Sequence, residues 1–326
     1  MKPILLDVDA GVDDTLAIIF ALLSPDLDVR GITTVGGNVP VRSCTRNVLL
    51  AFEVLSSIFR TLPPLSAGAS HPLRHALFTA KEVHGGDGVG GASVFYPAPK
   101  KRTARGNGVD LILETVKREA GLTLVATGPL TNIALALKKD LPAMKRLREI
   151  VVMGGAFNGA HNTGPCAEFN FYVDPDAANA VMRSGLPIRL IPLNVTEQCF
   201  FTPGDLQRIN HPLLRHYIQR VTKFYFDFHK RTENLNGGYL HDPLAVAAVV
   251  KPSLLRTELG YVHVERMSTY MRGMSIFFPR LNVKKEAELP KWVKSALLRA
   301  PTVKVATGVD AKIFKQLFLK PFLKAH

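Results

Sequence analysis

The amino-acid sequence predicts an α/β protein with an open, mostly parallel central sheet covered by helices on both faces, a Rossmann-like core in one domain spanning residues 1–326. Two observations carry that expectation. Short apolar runs of four to six residues recur, each leading through a Gly-, Asp- or Thr-rich turn into a helical pattern. No internal repeat or low-complexity tract interrupts the alternation.

The elements follow in order. PILLDVD reads as a buried strand ending near Asp7, and DDTLAIIFALLS as a helix with Leu16, Ile19, Phe20 and Leu23 on one face. TTVGGN closes a second apolar run, with Asn38 at the predicted strand end. YPAPKKRTARGNG (Tyr96 to Gly108) reads as a surface loop, and GVDLILETVKREAG as the next helix. LTLVATG then leads into the helix PLTNIALALKKD. EIVVMGG and IRLIPLNV are further buried strands, separated by the helix DPDAANAVMRSG. Near the end, AKIFKQLFLKPF places Phe314, Phe318 and Phe322 on one face of a packing helix that Pro321 is expected to disturb.

Composition narrows the class. With 326 residues, 47% of them hydrophobic, the chain can bury a substantial core. No uninterrupted apolar run reaches the roughly 18 residues of a membrane span. The chain meets Asp7 and Asp9 too early for a secretory signal, and Cys44, Cys166 and Cys199 are widely spaced without CxxC pairing. A cytoplasmic protein with reduced, mostly buried thiols is expected. Lys and Arg total 41 against 27 Asp and Glu, a net charge of +14. These cations are scattered, apart from KKRTAR at Lys100 to Arg105 and a Lys-sprinkled C-terminal third, and they lack the interleaved aromatics of a single-strand groove. They read as a solvated basic surface, so nucleic acid is not the expected partner.

Against that background LLDVDAGVDD concentrates Asp7, Asp9, Asp13 and Asp14 at the carboxyl end of the first strand, where open parallel sheets bind ligands. Asp9 or Asp13 as a helix cap would explain one or two of them. Four like charges at close range repel and raise each other's pKa, a conflict that a bound Ca²⁺ or Mg²⁺ relieves. A phosphatase of the haloacid dehalogenase type also carries DxD after a first strand. Its pattern places Thr or Val where Gly11 stands here, and it has no need of the Asp13–Asp14 pair.

Downstream, HDP at His241 to Pro243 reads either as an Asp242 cap with Pro243 at the first helical position or as an acid–base histidine beside a ligating carboxylate. DPDAA at Asp174 shares the capping pattern. In AEFN, Glu168 and Asn170 point to one side if the segment is extended, a spacing suited to adjacent sugar hydroxyls and equally to a surface pair. HGGDG at His84 to Gly88 reads as a lid or a turn.

In this order the motifs resemble the nucleoside hydrolases, the inosine-uridine preferring ribohydrolases. DVDAGVDD is similar to the family's DxDPGxDD fingerprint, and GITTVGGN, TRN, HGGDG, ATGPLTNIALAL, VVMGGAF, AEFNFYVDPDAA, PLNVT and YLHDPLAVA follow in family order, from about residue 3 to residue 250. The resemblance implies the nucleoside hydrolase type of sheet and hydrolysis of a ribonucleoside N-glycosidic bond, in salvage of purines or pyrimidines. It implies a Ca²⁺ ion held by Asp9, Asp14, Asp242 and the Thr127 carbonyl, binding a water and the ribose diol, with Asp9 as general base. Asp13 and Asn170 would grip the ribose hydroxyls, Glu168 and Asn162 the 5′-hydroxyl side, and Asn38 would lie near the water. His241 would protonate the leaving base, His84 would stack on it, and Asp7 and Met153 would support the site. A homodimer or homotetramer is implied as well.

The chain departs from the pattern at Ala10, where Pro is usual, at Asn194, where many relatives have Asp, and in MRGMSIFFPRLN. The competing functions are the phosphatase and a non-catalytic nucleoside- or RNA-binding relative.

Overall fold

A computed structural model describes residues 1–96, 106–280 and 289–324. KKRTAR, most of the expected Tyr96 to Gly108 loop, and the last residues of MRGMSIFFPRLN lie outside them.

Nine strands form one sheet in the order β10-β9-β11-β6-β5-β4-β1-β2-β3. They are β1 (Lys2–Val8), β2 (Leu27–Thr34), β3 (Leu65–Ala67), β4 (Thr123–Ala126), β5 (Glu149–Met153), β6 (Ile188–Ile191), β9 (Leu255–Val264), β10 (Ser275–Pro279) and β11 (Val303–Val309). Between β6 and β9 the chain forms a separate two-stranded ribbon, β7 (Phe200–Phe201) with β8 (Gly238–Tyr239). From β11 across to β3 every pairing is parallel, while β9 runs antiparallel to both β11 and β10. The sheet is therefore mostly parallel, as expected, with an antiparallel extension at one end.

Both faces of the sheet are covered, and the pleat divides the strands between them. Ile4, Leu6 and Val8 join one apolar cluster with Val125, Val151 and the helix Val12–Leu23, whereas Leu5 joins a second with Leu124, Ile150 and Val152. Burial on both sides is why the strands read as continuous apolar runs.

β1 lies between β2 and β4, so the winding reverses at β1, and ligand sites in open α/β sheets form at such switch points. The helix Val12–Leu23 leaves that end of the sheet and packs against the helix His241–Val250. Lys2, at the start of β1, donates from Nζ to the carbonyls of Val249 (2.7 Å) and Val250 (2.9 Å), and Arg189 on β6 donates to that of Ala248 (2.9 Å). These bonds hold the helix's carboxyl end at the amino end of β1. Its first turn, with Asp242, is thereby carried to the end of β1 that bears Asp9.

The helix Ala311–Lys324 runs through Pro321 instead of breaking there. Phe318, Leu319 and Phe322 are buried on the core, and Asn210 donates to the Phe322 and Leu323 carbonyls at the helix end. Packing and these bonds outweigh the hydrogen bond that proline cannot make.

Candidate active site

The acidic cluster forms because two helices begin at one place. The first turns of Val12–Leu23 and His241–Val250 carry Asp13, Asp14 and Asp242, where the helix dipoles favour negative charge. Carboxylate oxygens of these three residues lie within 4.8 Å of one another. Leu240, not Asp242, occupies the cap position, and the cap of the first helix is Gly11, whose N–H donates to Asp14 (2.8 Å). Asp174, by contrast, does cap its helix, accepting from the Ala177 N–H at 3.0 Å. The shared sequence pattern thus has two different outcomes.

Asp9 sits beside Asp14. Its Oδ2 accepts from the Asn38 N–H at 2.8 Å, and its Oδ1 is buried with no hydrogen-bond partner. A side chain at Gly37 would collide with that carboxylate, so the glycines of GGN let the backbone pass close enough to donate. Asp14 also accepts from Thr127 Oγ1 (2.7 Å) and Asn38 Nδ2 (3.3 Å). Asp7 is fully enclosed, accepting from Thr33 (2.5 Å) and Asn132 (2.7 Å) through one oxygen. Ala10, between the acids, has φ 39°, a left-handed conformation closed to a proline ring, so this turn is a different conformation from the one that proline would set.

Burial raises every one of these acids. Asp7 and Asp13 are pushed up to about 7, and Asp9, Asp14 and Asp242 are raised by desolvation, with like charge adding to it at Asp9, Asp13 and Asp242. Oxygen-only donors, mutual repulsion and an unpartnered buried Asp9 oxygen are what a hard divalent cation relieves, so the residues present fit one. The tightest three-carboxylate group contains Asp13 where the sequence comparison named Asp9.

Above the acids lies a cavity of about 380 Å³, in the range of small-molecule sites. Asp13, Asp242, Asn38, Thr127 and Met153 line its floor, with Glu168, Asn170 and Asn162 at one side. Glu168 and Asn170 do converge on it, though not from an extended segment. Glu168 caps the short helix Phe169–Val173, accepting from the N–H groups of Asn170 (2.8 Å), Phe171 (3.1 Å) and Gly155 (2.8 Å). Burial lifts its carboxyl to about 7 against those bonds. Asn170 Nδ2 donates to the carbonyls of Thr127 (2.8 Å) and Met153 (3.2 Å). Asn162 is exposed at the rim and accepts from the Phe169 N–H (2.9 Å).

Imidazoles and aromatic rings form the remaining wall. His84 ends a one-turn helix, Lys81–His84, and its Nδ1 accepts from the Val12 N–H at 3.1 Å. It stacks on Tyr225 with centroids 5.7 Å apart. HGGDG is a turn, knitted by Asp87 accepting from the N–H groups of Val89, Gly91 and Ser93. His241 Nδ1 lies 2.7 Å from Thr196 Oγ1, and its ring packs on Tyr239, 5.3 Å away, which the β7–β8 ribbon holds in place. Desolvation first, then neighbouring imidazoles, lowers His84 and His241 to about 3. Thr196, inside PLNVT, and Tyr225, His229 and Glu233, inside the stretch Phe224 to Tyr239 on which base preference is expected to rest, were not named individually from sequence. Their spacing of four along the helix Pro212–Glu233 was the available signal.

The model of the inosine-uridine preferring nucleoside hydrolase family matches residues 4–316. The chain is 35% identical to the probable uridine nucleosidase 2 of Arabidopsis thaliana over 329 aligned residues, covering 99% of this chain and 98% of that protein. Among solved structures it is similar to the plant nucleoside hydrolase PpNRh1 (TM-score 0.89, 34% identity, 99% of each chain) and to the purine-preferring ribonucleoside hydrolase of Gardnerella vaginalis (TM-score 0.87, 32% identity, 99% of each chain). With the family model matched over nearly the whole chain and the whole sheet shared with these structures, the chain belongs to the inosine-uridine preferring nucleoside hydrolase family.

Proposed function

We propose that this chain, acting as one catalytic domain, hydrolyses the N-glycosidic bond of ribonucleosides and releases free base and ribose. One observation carries the reading: carboxylates from distant parts of the chain, Asp13 and Asp14 with Asp242, meet in one group, and Asp13 and Asp242 of that group line a nucleoside-sized cavity.

Asp14 and Asp242, with Asp9 or Asp13 and the Thr127 carbonyl, would hold a divalent cation, for which Ca²⁺ is the proposed identity. When bound, such an ion lowers the pKa of a nearby water and fixes vicinal hydroxyls. The unpartnered Oδ1 of Asp9 is the base we assign to that water, and Asn38 orients the same carboxylate. Asp13 and Asn170 are assigned to the ribose hydroxyls, and Glu168 and Asn162 to the 5′ side. As the bond to the base breaks, its electron pair leaves with the base and positive charge develops on the ribose, a state favoured by surrounding carboxylates and carbonyl dipoles. His241 is assigned to proton donation. Thr196 Oγ1, 2.7 Å from Nδ1, holds the ring so that Nε2 is the nitrogen left to meet the base. His84 is assigned to stacking, and Asp7 and Met153 to support of the floor.

The phosphatase alternative needs Asp7 as an accessible nucleophile, and its full enclosure opposes that role. No helix among the described residues is long and apolar enough to cross a membrane. A cytoplasmic location, supported by the free thiols of Cys44, Cys166 and Cys199, and a homodimer or homotetramer, which light scattering would report, complete the proposal. The deciding experiment measures base release from inosine, guanosine, uridine and cytidine, with and without a chelator, against phosphate release from a phosphomonoester. Phosphate release without base release would overturn the reading. Salt-sensitive RNA binding without base release would favour the non-catalytic relative.

A further inference from the structure

The cavity lining includes a buried imidazole that the hydrolytic reading leaves unused. His229 lines the cavity and is only 5% exposed. Its Nδ1 lies 2.8 Å from Glu233 Oε1, one helical turn on, while the other Glu233 oxygen accepts from the Tyr239 hydroxyl at 2.8 Å. A carboxylate can only accept, so Nδ1 carries the proton and the neutral ring keeps a lone pair on Nε2. That nitrogen is buried and has no hydrogen-bond partner among the described residues. Tyr225 and Tyr239 pack edge-on against the ring, with centroids 4.5 and 5.0 Å away, and fix its plane. A buried acceptor held in a set orientation with nothing to accept calls for a partner, and the cavity it lines is where one enters.

We propose that His229, oriented by Glu233, reads the nucleobase by accepting a hydrogen bond from a lactam ring N–H, the group shared by uracil (N3–H) and hypoxanthine (N1–H). The assignment rests on the ribonucleoside hydrolase reading and adds its base selectivity. Burial lowers the imidazole's basicity, which keeps the ring in the accepting form despite the Glu233 carboxylate. Cytosine and adenine present a bare nitrogen at the matching ring position and would set lone pair against lone pair. Glu233 acts as a positioning residue, through the His229 tautomer. Its side chain is 39% exposed, so it can be replaced with little loss of packing.

The test compares each nucleoside with its ring N-methylated form: uridine with 3-methyluridine, and inosine with 1-methylinosine. Base release is measured for the full-length protein supplied with calcium. The wild type should prefer the unmethylated member of whichever pair it hydrolyses by about ten- to a hundredfold in kcat/KM. His229→Leu should compress that ratio to about threefold or less, chiefly by slowing the unmethylated substrate. Misfolding lowers both members of a pair together, so the ratio reads recognition and not stability. If His229→Leu is inactive on both, the ratio is read in Glu233→Ala, which should also compress it, while Glu233→Gln, retaining an acceptor for Nδ1–H, should restore it. Equal wild-type rates on parent and methylated substrates, or an undiminished ratio in both His229→Leu and Glu233→Ala, would overturn the assignment and leave the hydrolase reading intact. Absence of base release from every nucleoside by the wild type would instead overturn the hydrolase reading itself.

Discussion

Asp9 and His241 divide the proposed chemistry, and each depends on a neighbour that fixes one of its polar atoms. Replacing Asp9 by Ala removes the assigned base and should lower kcat for base release by about 10²–10⁴. Its effect on KM should be smaller than that of Asp242→Ala, which breaks the three-carboxylate group itself. Wild-type turnover by the Asp9 variant would remove it from the mechanism. Thr196→Val deletes the hydroxyl 2.7 Å from His241 Nδ1 and frees the ring's orientation. It should cost about tenfold in kcat with little change in KM, near the 1.4 kcal/mol of one lost oriented hydrogen bond. Steady-state kinetics on one substrate separate the two variants. The acids were legible in the sequence because they crowd eight residues of a basic chain. Glu168 was legible as a candidate but not in its geometry, since its carboxylate is held partly by the N–H of Gly155, from the turn after β5. Thr196 was visible only as part of PLNVT and not as a site residue, because its importance lies in a contact 45 residues away.

The strand–turn–helix units at β1, β4, β5 and β6 were readable because those strands are largely buried and give short apolar runs, whereas the three-residue β3 gave no such run. β9 was not readable either. Its burial alternates irregularly along LRTELGYVHV, and a strand paired antiparallel to both its neighbours lacks the strand–helix alternation of the parallel ones. The helix Ala311–Lys324 shows the opposite balance, where a correct apolar stripe came with a misplaced break. Phe318 is 1% exposed and meets the rings of Phe20, Phe201, Phe314 and Phe322, with centroids 5.0 to 6.1 Å apart. Those contacts hold the helix on the same apolar cluster that carries the helix Val12–Leu23. Phe318→Ala should therefore destabilise the protein by about 3–5 kcal/mol, read from the shift in urea midpoint at unchanged slope. A loss under about 1 kcal/mol would mean that the helix is not bound to the core as described.

Across the whole molecule the acids store a conflict between folding and charge, and its sign fixes how pH and calcium should act together. Asp7 and Asp13 rise from 3.8 to about 7 on folding, and Glu168 from 4.5 to about 7. Between those limits the folded chain without a cation binds protons that the unfolded chain has released, so its stability must fall as pH rises through that window. A cation among Asp13, Asp14 and Asp242 competes with those protons and should bind more tightly at higher pH. The metal-free protein should accordingly melt at a lower temperature at pH 7.5 than at pH 5. Calcium should raise the midpoint more at pH 7.5 than at pH 5. Calcium at a hundred times its dissociation constant adds about 2.7 kcal/mol, or roughly 4 °C for a chain of this size. Asp7 and Glu168 are outside the three-carboxylate group, so part of the downward slope should persist with calcium bound. Asp242→Asn should abolish the calcium-induced shift while leaving that residual slope. Thermal melts of both proteins at the two pH values, with calcium or chelator, read all of these terms, and a calcium shift of equal size at both pH values would separate the ion from the acids assigned to hold it.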